Sequence, residues 1–441
     1  MLLNLRKRQI FLLTGHALIA VFSFYLARFV LYGVHLTLNN IFISLDVFAI
    51  LSYLLVFYVF DLYDLGLPFR KIRFLVRFVL AQILVFILIA TWSFVFQERP
   101  YGMRVLAVQG LIVFVLALGW SMLFDRLIAN VTKALRVAVL GCEDTAEALR
   151  KALGRRPDYA VALTLKKGWE GRIESLVEEK AFDEIVVNTK RGVSPESYRA
   201  LIEAKMRGVM VYDVPGFYER VLDKLPVSGM SDVWLAHVPL SGVRKTIYNQ
   251  RLKRILGVVL SLAALAILSP VMLFIALVIR MDSPGPVFYR QRRIGLNRVP
   301  FNLVKFRSMT MGMDAMRENA GREDDPRITW VGRVIRKYRL DELPQLWNVL
   351  RGDMCLVGPR ALMEEEVEEF EQKISYFSLR HFIRPGISGW AQINYPHGVT
   401  VEDALAKLEY DLYYMKNASM SLDLYILLRT MRTMLLAKGG K

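Results

Sequence analysis

Apolar residues run almost unbroken through five stretches of this chain, and between the fourth and the fifth they alternate with polar residues in short steps. About 20 apolar residues let a helix cross a bilayer, so the long runs read as membrane segments. Ile10 to Ala27 follows Arg6-Lys7-Arg8 and lacks a small-residue cleavage site leading into a polar mature chain. That makes it a retained span rather than a signal peptide. The second run lies near Ile41 to Phe60, with Asp46 tolerable only near the outer interface. Phe78 to Phe96 and Val105 to Phe124 are free of charge. Orientation follows from the flanks. The N-terminus, the stretch with Arg70, Lys71, Arg73 and Arg77, and the stretch with Arg126, Lys133 and Arg136 are basic, hence expected in the cytoplasm. Val34 to Asn40 has no Lys or Arg, and Gln97 to Arg104 is nearly balanced. Residues 1–130 are thus expected to form four transmembrane helices with both ends inside.

The fifth run, Ile255 to Ile279, has 25 uncharged residues, but both of its flanks are basic. Arg244, Lys245, Arg251, Lys253 and Arg254 precede it, and Arg280, Arg290, Arg292 and Arg293 follow. A simple crossing would put one basic flank outside, against the positive-inside pattern. Ser269-Pro270 lies within the run, and proline removes a backbone donor while serine can satisfy the carbonyl that proline frees. The expected solution is a re-entrant helix, broken at Ser269 and Pro270, that enters and leaves on one face.

Residues 131–240 change character. Val137 to Gly141, Phe182 to Thr189 and Val209 to Val214 read as strands, with a helix from about Thr145 to Leu153 and another opened by Ser194-Pro195. This alternation predicts a small doubly wound, Rossmann-like cytoplasmic module. A dinucleotide site would need a glycine-rich turn after the first strand. Here the turn is Gly141-Cys-Glu-Asp-Thr-Ala146, with one glycine and two acids, so no NAD is expected and the module should be dispensable for chemistry.

Composition sharpens the membrane reading. The chain has 441 residues, 54% hydrophobic, with 58 Lys and Arg against 41 Asp and Glu, a formal charge of +17. Mean hydropathy is +0.33. Intrinsic disorder is excluded by the apolar content. Much of the basic charge sits beside apolar runs, so a membrane surface rather than nucleic acid is the expected partner. Two cysteines, Cys142 and Cys355, and five scattered histidines give neither a disulfide scaffold nor a Cys- or His-based metal site.

Candidate chemistry lies beyond the fifth run. The stretch from Asp282 to Gly295 and then Lys305-Phe-Arg-Ser-Met309 is dense in cations, and guanidinium forks match phosphate oxygens. From Asp325 the chain reads through Arg336 and Arg339 to Asp341-Glu342-Leu-Pro344, where Pro344 suits the first turn of a short helix. Two acids at a helix N-terminus are ordinarily a cap. With neighbouring arginines they could also hold a divalent cation and a phosphoryl group. Gly352-Asp-Met-Cys-Leu-Val-Gly-Pro-Arg360 and Arg380-His-Phe-Ile-Arg384-Pro-Gly-Ile-Ser-Gly-Trp-Ala-Gln-Ile-Asn394 follow. The tail from Ser421 to Lys441, with Arg429, Arg432 and Lys438, reads as a basic amphipathic helix on the membrane surface.

From about Arg244 onward these motifs resemble the bacterial sugar transferase family, the polyprenyl-phosphate sugar-1-phosphate transferases or monotopic phosphoglycosyl transferases. Four spans and a Rossmann-like module upstream resemble its large members. Departures are Cys355 for serine, Ala361 for proline and Ser388 for threonine; Ala361 is expected to loosen the turn after Arg360. The resemblance implies a catalytic domain over residues 244–441 that transfers a sugar-1-phosphate from a UDP-sugar to polyprenyl (undecaprenyl) phosphate, releasing UMP. It implies Asp341 as nucleophile, Glu342 as its partner in holding Mg2+ or in deprotonating the lipid phosphate, and a homodimer in the bacterial inner membrane with the catalytic domain on the cytoplasmic face. Exopolysaccharide, capsule and O-antigen synthesis are the expected settings. Lys305, Arg307, Arg336 and Arg360, then Arg380 and Arg384, are the expected phosphate contacts. A nucleotide-sugar dehydratase or epimerase would need Tyr-x-x-x-Lys, and none of the 19 tyrosines has lysine four residues on. A transporter would need charge within spans, which the last three runs lack. A catalytically inactive scaffold would have lost an acid, yet both are present.

Overall fold

The computed structural model describes residues 5–33, 43–60, 62–63, 72–95, 103–129, 134–141, 143–154, 159–165, 169, 173–179, 181–188, 194–227, 230, 232–244, 246, 248–310, 327–395, 398 and 400–435. Arg70, Lys71, Lys133, Cys142, Lys245, Asp325 and Lys438, and the loops at 34–40 and 97–102, lie outside the described residues. The chain forms two compact units, Met1–Lys133 and Ala134–Lys441.

The first unit holds helices α1 (Leu5–Tyr32), α2 (Ile43–Val59), α3 (Ile72–Val95) and α4 (Met103–Ala129). Helix α1 packs on α4 and α2, and α3 on α2 and α4. Leu12, Phe24, Phe57, Phe78 and Phe124 fill the seam between them. A side chain on Gly15 would overlap the Trp120 indole, so glycine lets that ring close on α1, where its Nε1 donates to the Leu12 carbonyl at 3.3 Å. Among the described residues, Ile10–Leu31, Phe74–Val95, Arg104–Phe124 and Lys253–Asp282 are long and apolar enough to cross a membrane. Helix α2 has only 17 residues, shorter than the run expected there.

The second unit begins with a parallel sheet of β1 (Leu135–Leu140), β2 (Tyr159–Leu165), β3 (Glu184–Val187) and β4 (Met210–Asp213), in the order β2-β1-β3-β4. Side chains alternate across each strand. Val137 and Val139 meet α5 (Glu143–Leu153) and α8 (Val214–Leu222), whereas Ala138 and Leu140 meet α6 (Ile173–Glu178) and α7 (Pro195–Met206). Ser194 caps α7, accepting from the Ser197 amide at 3.1 Å, and Pro195 stands at its first position as expected. Strand β2 and helices α6 and α8 carry no expectation from the sequence; β2 lies at the sheet edge, and none of its residues is fully buried.

The boundary expected at residues 240–244 does not separate two bodies. Leu225, Val227 and Met230, which follow α8, join one apolar core with Trp390, Leu408, Leu412 and Tyr414. Lys224 pairs with Glu409 at 2.6 Å, Lys416 with Glu219 at 2.6 Å, and Tyr413 donates to Asp223 at 3.0 Å. After α9 (Asp232–His237) comes α10 (Lys253–Asp282), 30 residues long. Helix α10 runs on through Ser269 and Pro270, where a break is expected, so a change of direction there is a bend within one helix. Pro270 cannot donate to the carbonyl four residues back, that of Ala266. Ser269 Oγ donates to that same carbonyl at 2.8 Å, so the helix continues through the proline.

Both ends of α10 are anchored in the second unit. At its start, Arg254 donates to the last carbonyls of a later helix, those of Val349 and Leu350, and Lys253 lies 3.0 Å from Asp423, which also accepts from Tyr248 and Tyr414. At its end, Ile275 and Ile279 pack with Phe306, Val331 and Ile335. Between these anchors, residues 262–274 include no buried side chain. The remaining elements are an antiparallel pair β5 (Phe288–Ile294) and β6 (Pro300–Phe306), then α11 (Trp330–Lys337) and α12 (Gln345–Arg351). Strand β7 (Cys355–Val357) lies parallel to β8 (Gly386–Ser388), with α13 (Glu364–Lys373), α14 (Trp390–Asn394), α15 (Val401–Asn417) and α16 (Met420–Leu435) around them. Helix α16 covers the described part of the tail, exposing Met420, Leu424 and Met431 and burying Asp423 and Ile426.

This arrangement ties the stability of the unit to upstream residues, whatever their dispensability for chemistry. A chain beginning at Arg244 loses Leu225, Val227 and Met230, each a buried side chain that stabilises by about 1.5–3 kcal/mol. It should melt well below a chain beginning at Ala134 when both are followed by thermal unfolding in detergent. Equal melting temperatures would show that the core closes without those residues.

Candidate active site

Helix α11 starts at Thr329, whose Oγ1 accepts from the Gly332 amide at 2.9 Å, and it buries Val331 and Ile335 against α10. It ends where Arg339 takes a left-handed conformation, φ 54°, rare for a residue with a side chain. That reversal starts a single 3-10 turn, Leu340–Glu342, and Pro344 then opens α12, where a missing backbone donor costs nothing. Asp341 and Glu342 therefore lie in a tight link between two helices. Asp341 is half-buried and Glu342 is buried.

Cations from separate segments surround them. Arg360, from the loop after β7, donates from Nη2 to Glu342 Oε1 at 3.2 Å. Lys305, from β6, lies 3.6 Å from the same oxygen. Burial works against ionisation of Glu342, but Arg360, Lys305 and Arg339 outweigh it and hold the carboxyl at about 2. Asp341 goes the other way. Burial, and then the charge of Glu342, push its carboxyl upward, while Lys305, Arg336 and Arg360 only partly oppose them. Burial likewise pushes the Lys305 ammonium down, with Glu342 resisting. Lys305 owes its position to Asn348 of α12. That buried amide accepts from the Val304 amide at 3.0 Å and donates to the Asn302 carbonyl at 2.7 Å, fastening β6 to the helix that follows the acids.

Of the six cations expected to meet phosphate, Lys305, Arg336 and Arg360 face the acidic pair. Arg307 does not. It is buried, and its guanidinium donates to the carbonyls of Ile279, Ser283 and Pro284, closing the C-terminal end of α10. Arg380 is also committed inside the protein, 2.8 Å from Asp411 and 3.0 Å from the Arg360 carbonyl. Arg384 is exposed and acts on the Cys355 thiol, which burial pushes up despite it. The turn at Ala361 is held, since Arg293 donates to the Ala361 carbonyl at 3.3 Å. Arg339 stands beside the acids as its place in the sequence suggests and Arg293 belongs to the expected cation-dense stretch, whereas Asn348 and Asp411 carry no expectation. A buried asparagine amid the apolar positions of α12 was the available signal for Asn348. A groove of about 260 Å³ lined by Val227, Ile374, Val401 and Leu405 shares no residue with this cluster.

A family profile described as bacterial sugar transferase matches residues 248–437, which include the acidic pair and every cation around it. Over 188 residues the chain is 42% identical to an uncharacterized sugar transferase of Bacillus subtilis (strain 168), covering 89% of that protein and 43% of this one. The chain belongs to the bacterial sugar transferase family. Two longer relatives carry activities in their names. One is UDP-N-acetylgalactosamine-undecaprenyl-phosphate N-acetylgalactosaminephosphotransferase of Aeromonas hydrophila, 34% identical over 261 residues, which are 59% of this chain and 60% of that one. The other is UDP-glucose:undecaprenyl-phosphate glucose-1-phosphate transferase of Escherichia coli (strain K12), 41% identical over 206 residues, 46% of this chain and 43% of that one. The chain thus matches about half the length of these curated relatives. The residues matched by the family profile all lie in the second unit.

The depressed Glu342 carboxyl makes a prediction about stability. A group held below its ordinary value of 4.5 stabilises the fold fully above 4.5, and that contribution disappears as pH falls towards about 2. Glu342→Gln should therefore melt lower than the wild type near neutral pH, and the gap should close between pH 4.5 and 2. A gap independent of pH would mean that Glu342 is not held ionised by its cations.

Proposed function

We propose that this chain transfers a sugar-1-phosphate from a UDP-sugar to polyprenyl phosphate, releasing UMP, in two displacements through Asp341. The observation that carries this reading is the divergence of the two adjacent acids under one set of cations. Paired carboxylates with affinities for protons pushed apart are a mark of divided chemical roles. In the first displacement an Asp341 oxygen attacks the β-phosphorus of the donor. The bond from that phosphorus to the bridging oxygen breaks, and UMP leaves with the electron pair. In the second, a phosphate oxygen of the lipid attacks the same phosphorus and the Asp341 carboxylate departs. Lys305, Arg336 and Arg360 lie where charge on the transferred phosphoryl group would need offsetting.

Glu342, paired with Arg360 at 3.2 Å, would act by holding magnesium or by deprotonating the lipid phosphate. Among the described residues no group of three or more His, Cys, Asp or Glu could hold a metal ion. Two adjacent carboxylates nonetheless fit magnesium, which takes one or two from a protein and the rest from phosphate and water. Asp341 and Glu342 would hold it, and when bound it offsets the charge of the diphosphate. The test is the purified chain with polyprenyl phosphate and a panel of UDP-sugars, scored by UMP release. At least one donor should give lipid-dependent UMP, and Asp341→Asn should lower it by about a thousandfold or more, because an amide is a very poor nucleophile. No release with any donor would favour the inactive scaffold.

The same reading places the first membrane step of an exopolysaccharide, capsule or O-antigen on the cytoplasmic face of the bacterial inner membrane. It makes the parallel sheet a Rossmann-like module without NAD, since Glu143 and Asp144 occupy the first turn of α5 and Asn188 donates to Thr145 at 2.8 Å beside the ends of β1 and β3. It also makes α10 re-entrant. A straight 30-residue helix is about 45 Å long, yet both of its ends pack on the second unit while its middle is uncovered. Arg244→Cys and Gly295→Cys, each in a chain lacking Cys142 and Cys355, should be labelled by an impermeant thiol reagent from the same, cytoplasmic face. Labelling from opposite faces would make α10 a crossing helix.

A further inference from the structure

The loop after β7 carries Arg360 without regular secondary structure, and three consecutive carbonyls in it are each held by a different segment. Pro359 accepts from the Gly386 amide at 2.9 Å, Arg360 from Arg380 Nη2 at 3.0 Å, and Ala361 from Arg293 Nη1 at 3.3 Å. A side chain on Gly358 would overlap the Arg384 carbonyl, so the loop lies directly against the β8 segment. Of the three donors, Arg380 is the one whose own place depends on a buried countercharge. Arg380 is 5% exposed and Asp411 is 1% exposed, and Arg380 Nη2 lies 2.8 Å from Asp411 Oδ2. Asp411 comes from α15, the helix that Glu219, Asp223 and Lys224 brace from the upstream side.

We propose that Asp411 is a positioning residue of the transfer site. Its carboxylate fixes Arg380, Arg380 fixes the Arg360 backbone, and Arg360 then presents its guanidinium to Glu342. Asp411 itself meets neither substrate nor the reacting atoms. The proposal rests on the transfer reaction described above, and it adds a remote carboxylate that determines how well the acidic pair is matched.

Asp411→Asn in the full chain keeps the size and an acceptor while removing the charge. UMP release should fall by roughly 10–100-fold with KM for the donor changed less than about threefold, since ground-state binding is not what Asp411 controls. In an Arg360→Lys background the same substitution should add less than about threefold, because two residues acting through one contact are not additive. Independently of activity, amide exchange over Gly358–Leu362 should rise by about tenfold in Asp411→Asn. Arg380→Lys serves as a second variant should Asp411→Asn fold poorly, and it should give the same exchange and the same non-additivity. Multiplicative losses in the double variant, or unchanged exchange over the loop, would overturn the relay. Absence of UMP release by the wild type would overturn the proposed reaction and leave the exchange result to decide the relay.

Discussion

Two successive carboxylates withdrawn from water lose hydration and repel each other, and the second unit is arranged around that cost. Asp341 and Glu342 share a single 3-10 turn, so neither can retreat from the other. Positive charge answers them from β6, α11, the residue opening the turn and the loop after β7, supplied by Lys305, Arg336, Arg339 and Arg360. The compensation is uneven. Glu342 has a direct partner in Arg360 and stays ionised, whereas among the described residues Asp341 is opposed by the charges of Lys305, Arg336 and Arg360 and keeps a higher affinity for protons. An acid whose charge is only partly offset is the better placed of the two to attack phosphorus.

Helix α10 joins this site to a long, uncovered apolar surface. It packs along α11 and α12, the two helices that flank the acidic turn, and its ends are closed by residues of the same unit. Arg307 supplies the donors for its last carbonyls, and Arg254 on its first turn supplies donors for the last carbonyls of α12. Helix ends leave such carbonyls without partners, and buried ones need them. The cations nearest α10 thus divide into some that hold helices and some that face the acids.

That division marks the limit of what the sequence discloses. Run lengths, the alternation around Val137, and Ser194-Pro195 as a helix start are local signals, and the fold follows them. Asp341-Glu342, Lys305 and Arg360 stand out because several uncommon residue types cluster in order. Arg307, two residues from Lys305, has the same composition around it, yet faces α10 carbonyls; which way a strand residue points, and to which partner, is decided by packing. Asp411 looks like any charge on a helix until the fold sets it opposite Arg380. Leu225, Val227 and Met230 fall inside the module expected over 131–240 because nothing local shows that their core partners run from Val357 to Ile426. The Ser269 bond to the Ala266 carbonyl is the one that Ser269-Pro270 implies, and helix α10 carries it without a gap in its residues.

The central claim, that Asp341 takes the phosphosugar, is tested most directly by incubating the enzyme with donor labelled at the β-phosphate, without lipid, then quenching and digesting. The account predicts label on the peptide containing Leu340 to Gln345, released when polyprenyl phosphate is added before the quench. Label that never appears on protein, while lipid product still forms at the normal rate, would contradict it and show direct transfer between the two substrates.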